Sequence, residues 1–184
     1  MKPIKIVGLS GSLRKGSYNS AALRAAAQLL PEGVELEILD LSALPFYNED
    51  LDKSGALPQA VIDFKEKMLE ADAVLMATPE YNYSVPPVLK NALDWASRDT
   101  RRPMVGKAGA ILSASPGALG GARVQYHLRQ VCLALNMNLV NRPEVFLSFV
   151  GQKVDEQGNL VDEKSKEMIA RLLQELATLA GKQQ

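Results

Sequence analysis

Five times along this chain, a short apolar run gives way to a loop and then to residues with helical spacing. That alternation confines the chain to one class of architecture. Each crossover helix returns the chain to the edge where its strand began, so the strands run parallel. A parallel sheet must be covered on both faces, which gives a doubly wound α/β domain. No internal repeat, linker or low-complexity tract interrupts the pattern, so residues 1–184 read as a single domain.

Ile4, Ile6, Val7 and Leu9 form the first buried strand. A helix is expected from near Asn19 or Ser20, with Leu23, Ala26, Ala27 and Leu30 inward and Pro31 to Gly33 ending it. Val34, Leu36 and Ile38 alternate with Glu35 and Glu37, as in a half-exposed strand. Pro45 to Gly55 reads as a polar loop, and Pro58 suits the first position of a helix lined by Val61, Phe64 and Met68. Ala73 to Ala77 and Ala108 to Ser113 are buried strands. A helix from Pro86 or Pro87 to Ser97 separates them. A further helix runs from about Gly121 to Asn136, with Val124, Leu128, Val131 and Leu135 as its core stripe. Leu139-Val140 and Val145 to Phe149 give a fifth strand region. A hairpin around Gly158 follows, then a helix over Asp162 to Ala180 that Gly181 can cap.

Scarcity narrows the chemistry. There is one histidine, His127, and one cysteine, Cys132. No internal disulfide, CxxC pair, Cys-ligated zinc or iron–sulfur cluster, or multi-histidine zinc site is available, and no metal is expected. Redox chemistry here would need an organic cofactor. His127 flanks a core stripe and reads as a structural or interface residue, and Cys132 as a small buried hydrophobe. Lys plus Arg and Asp plus Glu each number 21, a balance that points away from nucleic acid and anionic membranes. No segment approaches the ~20 apolar residues of a bilayer span, and the first apolar run is too short for a signal-peptide core. A soluble cytoplasmic protein is expected.

In doubly wound folds, ligands bind beyond the carboxyl ends of the strands, at the reversal in strand order. Three loops leave strand ends here, and they have the most unusual compositions in the chain. The first, Ser10 to Tyr18, combines glycines with Ser12, Arg14, Ser17 and the following Asn19, a donor set suited to a phosphate at a helix N-terminus. Gly11 and Gly16 have P-loop spacing, but Ser17-Tyr18 stands where Lys-Ser/Thr is required, and no GxGxxG is present. A terminal monophosphate therefore fits better than a nucleoside triphosphate or pyrophosphate. The second loop, Thr78 to Pro87, offers Tyr81, Asn82 and Tyr83 to a planar heterocycle, or packs those tyrosines against its neighbours. The third, Ser115 to Gly121, is free of bulk and permits close approach of a flat ring or of backbone. On the helix after it, Tyr126, Leu133 and Met137 lie opposite the core stripe, which predicts a subunit interface.

Gly11-Ser12-Leu13-Arg14-Lys15-Gly16-Ser17-Tyr18-Asn19, Pro79-Glu80-Tyr81-Asn82 and Leu89-Lys90-Asn91-Ala92-Leu93-Asp94-Trp95 closely resemble the flavodoxin-like NAD(P)H-dependent FMN reductases, above all the chromate and quinone reductase branch. The likeness continues through Gly120-Gly121-Ala122-Arg123 and Tyr126-His127-Leu128-Arg129-Gln130. The resemblance implies a five-stranded parallel sheet of order 2-1-3-4-5 and an FMN-dependent oxidoreductase. NADH or NADPH would supply a hydride, and a quinone, flavin, azo compound or chromate would leave with two electrons in a ping-pong cycle. It places Ser12, Arg14, Ser17 and Asn19 on the FMN phosphate, with Tyr18 also among the cofactor-binding residues. Pro79, Glu80, Tyr81, Asn82 and Tyr83 would line the isoalloxazine, with Ser115 and Gly117 on its other side. No side chain need act as acid, base or nucleophile. The family assembles as homodimers or homotetramers, and Arg123, Tyr126 and Glu144 match a polar network between its subunits. Two departures bear on substrate range: Pro87 stands where relatives commonly have glycine, and Tyr83-Ser84-Val85 replaces Gly-Ser-Ile. A flavodoxin-type electron carrier without steady NAD(P)H turnover is the alternative, against which the absence of net charge weighs.

Overall fold

A computed structural model describes residues 2–53 and 55–182; Ser54, inside the expected Pro45–Gly55 loop, lies outside them. Four main strands, β1 (Ile4–Ser10), β2 (Val34–Leu39), β3 (Ala73–Thr78) and β4 (Ala108–Ala114), are followed by two short ones, β5 (Asn138–Leu139) and β6 (Val145–Leu147). All pair in parallel, in the order β2-β1-β3-β4-β5, with β6 also on β4. The order reverses between β1 and β3. The expected fifth strand is thus two pieces sharing one position. β5 pairs with Ala108 and Gly109, β6 with Leu112 to Ala114, and Pro143, which has no N–H for a ladder, lies between them.

The helices are α1 (Tyr18–Gln28), α2 (Glu49–Lys53), α3 (Gln59–Glu70), α4 (Pro87–Ser97), α5 (Ala122–Ala134) and α6 (Glu163–Gly181). Successive strand residues point to opposite faces, so each strand feeds two cores. Ile6, Ala73, Leu75, Ala77, Ala110, Leu112 and Ala114 pack under α1 and α6. Val7, Leu9, Val74, Met76 and Ile111 pack under α3, α4 and α5. Each fully buried leucine or isoleucine contributes about 1.5–3 kcal/mol. The first face is rich in alanine on both strand and helix, which brings α1 close to the sheet.

Several boundaries differ from the sequence expectation, each for a local reason. α1 starts at Tyr18, because the Ser17 hydroxyl accepts the Ser20 N–H (3.2 Å) as its cap, which puts Asn19 inside the first turn. Pro58 precedes α3 as its cap residue, and Lys182, not Gly181, follows the end of α6. The polar loop holds the short helix α2, with Glu49, Asp50 and Asp52 in its first turn, where the helix dipole favours them. In α5 the fully buried stripe is Val124, Leu128 and Cys132, while Val131 and Leu135 are only partly buried. The Val154–Leu160 bridge forms the expected hairpin.

Met137 is a correction. α5 ends at Ala134, so helical spacing no longer places Met137 beside Tyr126 and Leu133. It turns into the core instead, and its Cε lies 2.8 Å from where a Cβ on Gly109 would stand. It belongs to no exposed face. Tyr126 and Leu133 remain outward, 60% and 78% exposed.

The Leu89–Trp95 motif has a structural task in this fold. The Pro45 carbonyl accepts from Asn91 Nδ2 (2.9 Å) and Trp95 Nε1 (2.8 Å), and Asn91 Oδ1 accepts the Tyr47 N–H (2.7 Å). Tyr47 meets Trp95 edge-on at 5.0 Å. The segment after β2 is thereby strapped along α4, beside the carboxyl edge of the sheet.

Candidate functional site

β1, β3 and β4 end at one edge, and the three unusual loops lie there side by side. The Gly11 N–H donates to Ala77 O (2.8 Å), so the first loop leaves β1 still bonded to β3. A Cβ on Gly11 would stand 3.0 Å from Pro79 Cδ and 3.1 Å from Thr78 Oγ1, so the first and second loops can meet this closely only with glycine there.

Beyond Gly11 the first loop is built around donors. The Ser12 hydroxyl accepts the Arg14 N–H (3.3 Å), and the Ser17 hydroxyl caps α1. Among the described residues, the backbone N–H groups of Lys15, Gly16, Tyr18 and Asn19 have no protein acceptor. Arg14 has no carboxylate partner among them either, and its guanidinium lies 5.3 Å from the centre of the Tyr18 ring. A positive helix end, free N–H groups and an exposed arginine together make an anion site. Asn19 is the exception in this loop. It is 2% exposed, and its amide is bonded to β4: Nδ2 donates to Ala114 O (3.0 Å) and Oδ1 accepts the Ala114 N–H (2.9 Å).

The second loop is a two-residue reversal. Tyr81 and Ser84 exchange backbone bonds (3.1 and 2.9 Å), and Asn82 and Tyr83 between them both have positive φ, 49° and 66°. This is the type I′ geometry that favours Asn-Gly. Tyrosine at the second position costs roughly 1–2 kcal/mol in backbone strain. Arg123 partly offsets that cost, with its guanidinium 4.0 Å above the Tyr83 ring. Tyr81 and Tyr83 stay exposed, as flat surfaces at the rim.

The Glu80 carboxylate points at α5. Oε1 accepts from Arg123 (3.2 Å), and Oε2 accepts the Val124 N–H (3.1 Å) in the first turn of that helix. Its negative charge sits at the positive helix end. Ser84 Oγ lies 3.1 Å from His127 Nδ1, so α5 holds the second loop at three points. Removing the cap has a definite cost. Glu80→Ala is expected to lose about 1–2 kcal/mol, lowering Tm by roughly 2–8 °C, measured by thermal unfolding. Glu80→Gln, which keeps an acceptor, should lose less.

The third loop resolves its two alternatives by position. Gly117 is open, since a Cβ there would meet only Ser115 Oγ, at 3.6 Å. Gly120 and Gly121 instead face the protein's own backbone and side chains, and both have positive φ. The Ser115 hydroxyl accepts the Gly117 N–H (3.1 Å). A fourth segment, which sequence patterning assigned only to a strand, buttresses this loop. Ser115 N donates to Leu147 O, Val150 N to Ser115 O and Phe149 N to Gly117 O. Phe149 has φ 50° and is half exposed at the rim. Nothing in the local pattern signals that turn, because its geometry comes from docking on the third loop.

Residues 4–152 match the profile of the family described as NADPH-dependent FMN reductase. The chain belongs to that family. It is 53% identical over 173 residues to an NAD(P)H-dependent FMN reductase of Pseudomonas aeruginosa, covering 94% of this chain and 93% of the relative. It is 47% identical over 184 residues to an NAD(P)H:quinone oxidoreductase of Solanum tuberosum, covering 97% and 94%. Among solved structures, the flavoenzyme NAD(P)H:(acceptor) oxidoreductase FerB of Paracoccus denitrificans superimposes with a TM-score of 0.87 at 30% identity, covering 97% of this chain and 98% of that one.

Other polar and titratable residues are held by local partners or by burial. Asp40 accepts the Ser42 N–H (2.8 Å), and that bond holds its carboxyl below the usual range; it is a turn residue. Arg101 pairs with Asp99 and Glu66 in the connection leading into β4, at the sheet edge opposite the three loops. Cys132 is buried, which pushes its thiol up to about 12 and leaves it inert at neutral pH. No cluster of three or more metal-ligating side chains occurs among the described residues, and no helix is long and apolar enough to cross a membrane.

Proposed function

We propose that the carboxyl edge of this sheet holds FMN and that the chain reduces quinones, with free flavins, azo compounds and chromate as further acceptors, at the expense of NADH or NADPH. The observation that carries this reading is the first loop, where among the described residues the N–H groups at the start of α1 are free and Arg14 has no carboxylate partner, at the same sheet edge as the open backbone of Gly117. That donor set fits a terminal phosphate, and the glycine loop leaves room for a flat ring.

When bound, FMN would supply hydride acceptance from a reduced nicotinamide and two-electron delivery to an acceptor. The chain's own residues bind and orient. Arg14, the N–H groups of Tyr18 and Asn19, and the hydroxyls of Ser12 and Ser17 would hold the phosphate, with Tyr18 backing the guanidinium. Pro79, Asn82 and the exposed rings of Tyr81 and Tyr83 form one wall, fixed by Glu80 through α5. Ser115 and Gly117 form the other, fixed by the Leu147–Val150 segment. No proton need be moved by a side chain.

The test is spectroscopic. Purified protein supplied with FMN should retain it through gel filtration, lose the visible flavin bands on anaerobic NADPH or NADH, and regain them with benzoquinone over many turnovers. A protein that retains no FMN overturns the reading. One that retains FMN but supports no steady turnover is an electron carrier.

The exposed face of α5 that carries Tyr126 and Leu133, together with Arg123 and Glu144, is the surface proposed for assembly into a homodimer or homotetramer. Leu133→Asp should reduce the mass found by light scattering. An unchanged mass would remove this face from the interface.

A further inference from the structure

We infer that Asn19 is a positioning residue: its backbone N–H serves the phosphate, but its side chain joins the phosphate side of the site to its ring side and is not a phosphate ligand. The inference rests on the FMN reading above and concerns what makes that site one unit. The register of β3 on β4 ends at Thr78 and Ser113. In a parallel ladder the Ala114 carbonyl would next accept from the Glu80 N–H, but the chain turns into the second loop at Pro79 and Glu80 makes no such bond. On its other side β4 continues: Ser115 N–H donates to Leu147 O, and Ser115 O accepts from Val150. Backbone groups of successive strand residues alternate in direction, so the N–H and C=O of Ala114 face the side that β3 has left. Asn19 fills that vacancy with one acceptor and one donor, at 2.9 and 3.0 Å, from 95 residues away in sequence. It is buried, so the pair is shielded from water.

The consequence is mechanical. Asn19 sits in the first turn of α1, whose free N–H groups define the anion site. Ala114 immediately precedes Ser115, which opens the third loop. The amide clasp therefore sets the distance and angle between phosphate and ring positions. Only asparagine fits this task at this length. Aspartate would set a lone pair against Ala114 O, and glutamine would overrun by a methylene.

The test compares Asn19→Ala with Arg14→Ala and with Ile169→Val, a cavity variant in α6, which contributes no residue to the three loops. FMN affinity is read by fluorescence quenching, the ring's surroundings by visible circular dichroism of the bound flavin, and the clasp by hydrogen exchange of the Ala114 amide. Asn19→Ala should raise the FMN Kd about tenfold, alter the visible dichroism and speed exchange at Ala114. Arg14→Ala should raise Kd with the dichroism unchanged, and Ile169→Val should change neither. Wild-type affinity in Asn19→Ala, weakened binding with wild-type dichroism, or the same changes in Ile169→Val would overturn the inference. If Asn19→Ala does not fold, Asn19→Ser is judged by the same criteria. A wild-type protein that binds no FMN would instead defeat the functional reading itself.

Discussion

Arg14→Ala is expected to raise the FMN dissociation constant by about 10- to 100-fold, since a hydrogen bond to a charged partner contributes ~1.5–3 kcal/mol and each 1.4 kcal/mol is tenfold. Arg14 is exposed and makes no ion pair among the described residues, and its guanidinium lies over the Tyr18 ring and beside Gly16. Its removal should therefore leave the Tm of the apoprotein nearly unchanged, within about 0.5 kcal/mol of stability. That separation identifies a residue held ready for a ligand. Arg14→Lys should recover part of the affinity, because an ammonium keeps the charge but loses the planar fork. Titration of FMN fluorescence at two ionic strengths checks the assignment: the wild type should weaken with salt more steeply than Arg14→Ala. Equal affinities in the two proteins would move the phosphate away from this loop.

The second large effect concerns the junction of β4 and α5. Gly121 has φ 86°, and a Cβ there would lie 2.8 Å from Ser113 Cβ and 2.9 Å from Ser113 Oγ. Alanine at this position would meet both costs, ~1–2 kcal/mol for the left-handed backbone and ~1–3 kcal/mol for overpacking. Gly121→Ala should thus lose roughly 3 kcal/mol, a fall in Tm of roughly 6–12 °C for a chain of this size. The neighbouring network adds to the damage. Ser113 Oγ donates to Gly120 O (2.6 Å) and accepts from Gln125 Nε2 (2.9 Å), so a displaced Ser113 disturbs the first turns of α5. Thermal unfolding of the apoprotein measures this directly. Gly117→Ala is the contrast. Its Cβ would make only an ordinary contact with Ser115 Oγ, at 3.6 Å, and the change should leave apo stability nearly intact. A Gly121→Ala protein as stable as wild type would mean that α5 can slide along β4.

Much of this protein was determined locally. The alternation of apolar runs with helical spacing fixes a parallel sheet covered on both faces, because buried parallel strands and crossover helices leave that pattern whatever the details. The strand order followed from the motif resemblance, and the sheet has it. The placement of unusual loops at the ends of β1, β3 and β4 was also legible, since strands that run parallel end at one edge. Side-chain assignments were not, where they depend on what another segment presents. The resemblance placed Glu80 and Asn19 at the cofactor, but only the fold shows that the Glu80 carboxylate also caps α5 and that the Asn19 amide is bonded to β4. Met137 read as surface because helical spacing was extended past the point where α5 stops. Gly117, Gly120 and Gly121 look alike in sequence, but only the packing of β4 and β6 separates the one that is open from the two that are closed. Periodicity reports which face of an element is apolar. It carries no record of which distant backbone group lacks a partner, and in this protein such groups decide how the loops around the site are held.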